Sequence, residues 1–281
     1  MQRHLPLVLL AAVLLVTAAC EPPPPRADDS QLSHCRADPF AGAAVAYLAP
    51  VAGLHDLTAS VYDDRTGCWY HYRSGQRVTT ASVVKMEILA GLELRAQNAE
   101  RSLSPSEMKL AVPMIRVSDN HAATTLWNSL GGAAGMSRVG DAFGLSATNE
   151  VGPMWGLSST TADDQAAFVE RLVQGAGPLD AAHRGEAWAY LQLVRPDQRW
   201  GVTAGVPPGW SVGQKNGFAD SNGTRWRINS VGYVADPGGG GYAIAILSDR
   251  WPTEAAGIPV VEAVSRAVAA VMTAPAPASA P

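Results

Sequence analysis

A hydroxyl and an amine one helical turn apart can act as a nucleophile and its base. The stretch Thr79-Thr80-Ala81-Ser82-Val83-Val84-Lys85-Met86-Glu87-Ile88-Leu89 offers such a pair, Ser82 and Lys85. It reads as a loop feeding a helix, with Ser82 at the helix start and Lys85 on the same face. A serine hydroxyl attacks a carbonyl only when a neighbour takes its proton. A lysine can do so once desolvation or a nearby cation lowers its pKa. The free N–H groups at a helix start supply donors where an oxyanion would form.

The same four-residue pattern recurs at Ser106-Glu107-Met108-Lys109, where its context is different. Ser104, Pro105 and Glu107 read as an N-cap, a first-turn proline and a capping-box glutamate, which places Ser106 and Lys109 on an ordinary helix surface. Only Ser82 has the company that catalysis needs. Ser118-Asp119-Asn120 follows it, and Lys215-Asn216-Gly217 comes later.

In that order the three motifs resemble the serine β-lactamase and penicillin-binding protein superfamily, whose signature is Ser-x-x-Lys, Ser-Asp-Asn and Lys-Thr-Gly. The approach to the third motif, from Gly205 to Lys215, is similar to the corresponding stretch of class A β-lactamases, and Gly131-Gly132 fits as well. The resemblance spans roughly Val61 to Val271. It implies acyl-enzyme chemistry with no cofactor and no metal. Ser82 would be acylated, and Lys85 would take its proton directly or by relay. Ser118 would pass a proton to the leaving nitrogen, and Asn120 would hold Lys85 and the substrate amide. Lys215 would add positive potential, and the N–H groups of Ser82 and Phe218 would form the oxyanion hole. The bland alternatives are that Ser118 and Asp119 only cap the next helix and that Lys215 is a surface strand residue.

Three departures from the family pattern matter. Asn216 stands where the family has a hydroxyl next to Gly217, so an amide would meet the substrate carboxylate unless Arg225 or Arg227 does so. Ser118 follows Ser82 by only 36 positions, shorter than in class A enzymes, so a wall of the cleft is missing. The Glu-x-x-Leu-Asn segment whose glutamate activates the deacylating water is absent. In the stretch Asn149 to Thr160 the one glutamate is Glu150, the remaining candidate for that base.

The elements that must position these groups can be read from periodicity. Phe40 to Leu54 reads as a helix, and Leu57 to Tyr62 and Cys68 to Tyr72 as a hairpin around Asp63-Asp64-Arg65-Thr66-Gly67. Met86 to Ala96, Pro105 to Arg116, His121 to Leu130, Ala134 to Phe143, Ala162 to Val173 and Ala181 to Leu193 read as helices. Strands follow at Gly213 to Phe218, Ile228 to Val234 and Tyr242 to Ser248, with a closing helix from Ala255 to Val271. Strands at both ends with helices between them predict an α/β (α+β) domain over 39–272. Its sheet part would be 39–81 and 205–272, and an all-helical lobe would be inserted over 82–204. The resemblance implies a five-stranded antiparallel sheet flanked by helices.

The flanks and composition bound the class. Arg3 and His4 followed by the apolar run Leu5 to Ala19 read as a secretory signal over 1–19. Thr17-Ala18-Ala19-Cys20 resembles a lipobox, with Cys20 as the lipidated residue. A Pro-rich linker would extend over 20–38, and 273–281 reads as a disordered tail. The net charge of −4 with no basic run argues against nucleic acid as a partner, and the 6 histidines show no metal spacing. An exported chain allows a Cys35–Cys68 disulfide, with two separate thiols as the alternative. The reading is a monomeric, lipid-anchored serine hydrolase on the outer membrane face, or a secreted one, acting on a β-lactam or peptidoglycan-like amide or ester. It is foremost a class A-like β-lactamase. The alternatives are a D,D-peptidase or esterase, and a catalytically silent envelope-binding lipoprotein.

Overall fold

The computed structural model describes residues 34–175, 177–220 and 225–275. The signal segment, Cys20 and most of the linker and tail lie outside the described residues.

A five-stranded sheet carries the structure. Its strands are β1 (Thr58–Asp63), β2 (Cys68–Tyr72), β5 (Ser211–Asp220), β6 (Trp226–Ala235) and β7 (Gly241–Leu247), in the order β2-β1-β7-β6-β5 with every neighbour antiparallel. The central strand β7 is buried along its whole length, as a strand covered on both faces must be. Ala243, Ala245 and Leu247 face one hydrophobic core, while Tyr242, Ile244 and Ile246 face the other. Period-two alternation of two apolar sets is therefore what lets one strand serve two layers.

The first core lies against α6 (Ala162–Val173) and runs on into the helices that precede it in sequence, α2 (Lys85–Asn98), α3 (Pro105–Arg116), α4 (Asn120–Ser129) and α5 (Gly132–Ala142). The second lies under α8 (Glu254–Met272). That helix is long and apolar enough to cross a membrane, but Val261, Val264, Val268 and Met272 are buried in the second core. Helix α7 (Ala181–Leu191) packs on α2 and on β5. Helix α1 (Ala43–Ala52) is shorter than the sequence predicts, because Gly42 enters it with φ 67° and breaks the helical path.

Local chemistry sets the helix starts. Ser104 and Glu107 form the predicted capping box at α3. Asp119 accepts from the Ala122 N–H at α4, Thr161 from Asp164 at α6, and Thr253 from Ala256 at α8. A two-stranded ladder of β3 (Val78–Thr79) and β4 (Ser159–Thr160) is not foreseen in the sequence. It ties the segment before Ser82 to the loop over 149–158. Cys35 is joined to Cys68 by a disulfide with a Cα separation of 5.8 Å, fastening the start of the described chain to β2.

Candidate active site

The nucleophile turn is built from three directions. Ser82 lies in a 3-10 turn, Ala81–Val84, and the α-helix proper begins at Lys85. This differs slightly from the expected helix start at Ser82. Ala81, just before it, has φ 47°, a left-handed backbone that costs a non-glycine residue energy and needs surrounding structure to hold it. Part of that structure is Asn229 on β6. It is fully buried, donates from Nδ2 to the carbonyls of Thr79 (2.8 Å) and Thr80 (3.1 Å), and accepts from the Ser248 N–H. Gly217 on β5 supplies the third side. A Cβ there would stand 2.6 Å from Thr80 O and 3.0 Å from Ser82 N, so only glycine lets the strand approach this closely. The approach brings the next residue, Phe218, into the wall of the cleft that holds Ser82.

Lys85 is fully buried. Its Nζ donates to Ser118 O (2.6 Å), Ser118 Oγ (2.9 Å) and Asn120 Oδ1 (2.7 Å). Ser118 reaches this position with φ 59°, another left-handed non-glycine residue. Asp119 caps α4, as the bland reading allowed, and in doing so orients its two neighbours toward the amine. Burial pushes the Lys85 pKa down to about 7, against the opposing pull of Asp119. Lys215 is also fully buried and donates to Asn216 O at 2.8 Å. Burial, and after it repulsion from Lys85, lowers its pKa to about 7 as well. It is a second desolvated amine next to the first, and not a surface strand residue.

Ser82 and Asn120 open onto a cleft of about 560 Å³, lined also by Trp155, Leu157, Phe218 and Arg227, while Lys85, Ser118 and Lys215 lie behind this lining. Arg227 reaches the cleft with its Nε 3.5 Å from Asp249. Arg225 is held 3.9 Å from the same carboxylate, half exposed and away from the cleft lining.

Two expected site residues point elsewhere. Asn216 is fully buried on the opposite side of β5. It donates to the carbonyls of Gln198 (2.8 Å) and Trp200 (3.0 Å) and accepts from Ser230 Oγ (2.7 Å). Every hydrogen-bonding atom of the amide has a protein partner, so it does not meet a substrate carboxylate. Glu150, the candidate deacylation base, accepts from Ser158 Oγ at 2.8 Å and lies against the Glu87 carboxyl. Burial, and after it the neighbouring Glu150 charge, pushes the Glu87 pKa well up, which favours a protonated Glu87. Glu150 is turned inward to that carboxyl and is not part of the cleft wall.

The motif reading missed Asn229 and Trp155. Asn229 shows only as a polar residue inside an apolar strand. The indole of Trp155 lies over Lys85, with Nζ 4.9 Å from the ring centroid, and nothing local in the sequence marks it.

The model of the beta-lactamase enzyme family matches residues 102–272, more than half of the chain. The chain belongs to the beta-lactamase enzyme family. LppW of Mycobacterium tuberculosis, named as a lipoprotein, is 28% identical over 185 residues, which is 63% of this chain. The chain spans 59% of the length of such relatives. Among solved structures, a beta-lactamase from Desulfarculus baarsii superposes with a TM-score of 0.69 at 22% identity, covering 81% of this chain and 96% of its own. PBP-A, caught as an acyl-enzyme with penicillin G, superposes with a TM-score of 0.69 at 21% identity, covering 80% and 92%. The fold is that of class A beta-lactamases. The matched region begins after Ser82 and Lys85, so the case for the nucleophile rests on the geometry around them.

Proposed function

We propose that this protein is a serine hydrolase that recognises β-lactams or peptidoglycan-like amides and esters and forms an acyl-enzyme at Ser82. The observation that carries this reading is the environment of Lys85. It is a buried amine whose pKa falls to about 7 and whose Nζ is 2.9 Å from Ser118 Oγ, one turn from a serine in a strained loop. A neutral Lys85 takes the Ser82 proton as Oγ bonds to the substrate carbonyl carbon. The N–H groups of Ser82 and Phe218 face the developing oxyanion. The amide or ester bond then breaks. Ser118 Oγ–H protonates the leaving atom and is itself reprotonated from the Lys85 ammonium, leaving the acyl group on Ser82. Arg227 offers the cleft a guanidinium for a substrate carboxylate. The relation to LppW supports export and anchoring through a lipidated Cys20.

A second reading concerns the fate of the acyl group. Glu150 is occupied by Ser158 and Glu87, which favours a slowly hydrolysed, penicillin-binding or D,D-peptidase-like enzyme over a fast β-lactamase. Labelling with a fluorescent penicillin, followed by intact mass over time, tests both. An adduct on Ser82 that is absent in Ser82→Ala and lasts many minutes is expected. Labelling that persists in Ser82→Ala refutes the assignment.

A further inference from the structure

Lys85 is fully buried from solvent. Its three N–H bonds go to Ser118 O, Ser118 Oγ and Asn120 Oδ1. On the cleft side the ring of Trp155 lies over the amine, its centroid 4.9 Å from Nζ. The indole face attracts the amine while it is protonated, and the fastening of the ring and its loop holds the cover whatever the charge on Lys85.

The cover is fastened at both ends. Trp155 Nε1–H donates to Thr124 Oγ1 on α4 at 3.1 Å. The backbone beneath it, the 3-10 turn Trp155–Leu157, packs on the nucleophile turn Ala81–Val84. It is tied there by the Thr80 N–H donating to Ser158 O at 2.8 Å. The ring also lines the cleft together with Ser82 and Asn120.

We infer that Trp155 is a lid over Lys85 that keeps water from this base, and so sets the lifetime of the acyl-enzyme. The inference rests on the acyl-enzyme reading above. Acylation needs no water: the proton moves from Ser82 to Lys85 and on through Ser118. Hydrolysis does need it. A water oxygen must bond to the acyl carbon while its proton passes to neutral Lys85, after which the ester bond breaks and Ser82 Oγ recovers that proton. With the indole in place the first half proceeds and the second lacks a water beside its base. Trp155 is therefore a positioning residue, acting through Lys85 and the solvent.

Two measurements on the full chain test this. In the first, the decay of a fluorescent-penicillin adduct is followed in wild type, Trp155→Ala, Trp155→Phe and Thr124→Val. General-base assistance is worth about a hundredfold or more, so Trp155→Ala should shorten the adduct lifetime by at least about tenfold, with a decay rate that rises through pH 7. Trp155→Phe, which keeps an aromatic face, should restore most of the lifetime, and Thr124→Val should lie between. In the second, reductive methylation of Lys85 is read by peptide mass without any substrate, and Trp155→Ala should accelerate it by a similar factor. Equal adduct lifetimes, or Lys85 labelling that does not change, overturn the lid. If Trp155→Ala does not fold, Trp155→Phe and Thr124→Val carry the same comparison, and wild-type values in Thr124→Val overturn it too. No adduct on Ser82 in any of the proteins overturns the acyl-enzyme reading and the lid with it.

Discussion

Asn229 and Gly217 stand directly opposite each other on neighbouring strands, and both meet the Thr80 carbonyl. The asparagine donates to it at 3.1 Å, and the glycine leaves it room that a Cβ would take at 2.6 Å. Together they set the path of the backbone into Ser82. One acts by a bond and the other by the lack of a side chain. Asn229→Leu should destabilise the fold by about 2–4 kcal/mol, since it leaves buried carbonyls and an N–H unpaired. Urea unfolding would read this, and unchanged stability would remove Asn229 from the account.

Gly217→Ala should keep the fold but slow acylation. Its φ lies outside the left-handed region, so the penalty is contact with Thr80 O and Ser82 N and not backbone strain. Displacing one oxyanion donor costs about a hundredfold or more in rate. Pre-steady-state labelling with a penicillin would measure it, and a rate within twofold of wild type would count against the packing argument.

The rate of Ser82 labelling should rise with pH through about 7 and level off above it. The sign follows from Lys85, whose folded pKa is lowered to about 7 by burial, so that its basic form grows as pH increases through that value. Two pH units below, only about a hundredth of the amine is free base, and the rate should fall by about that factor. A flat profile between pH 5 and 8 would exclude Lys85 as the base.

Asn216→Thr should not improve β-lactam acylation. The amide holds Gln198, Trp200 and Ser230 on the far side of the strand, and removing it should instead cost about 1–3 kcal/mol of stability. Arg227→Ala should weaken binding of carboxylate-bearing substrates about tenfold or more, the value of a charge-assisted bond, while Arg225→Ala changes it little. Saturation kinetics on the two variants would separate them, and the reverse order would place the anchor at Arg225.

Glu93 in α2 is fully buried, and both of its carboxyl oxygens lack a hydrogen-bond partner among the described residues. Burial, and after it the charge of Glu186, raises its pKa to about 8. A raised carboxyl favours the fold fully below its ordinary pKa of 4.5, and that contribution is lost as pH rises toward 8. Glu93→Gln should therefore match wild type near pH 4 and be more stable by a few kcal/mol near pH 8. Thermal melts across that range would show the crossover, and parallel curves would refute it.

The order Ser82-x-x-Lys85, Ser118-Asp119-Asn120, Lys215-x-Gly217 by itself pointed to the family, the sheet-and-helix plan and the candidate reacting groups. Each motif is local, and local spacing dictates which side chains share a helix turn or a loop. The capping box at Ser104 likewise separated the two Ser-x-x-Lys matches without any tertiary information. What the sequence left open depended on which side of a strand or loop faced the cleft. Asn216 is next to Lys215 in sequence, yet its amide is spent on Gln198 and Trp200. Arg227 reaches the cleft and Arg225 does not. Glu150 faces Glu87 and leaves the cleft to Trp155. Only the tertiary structure decided these, because each depends on partners far away in sequence that spacing along one segment does not record.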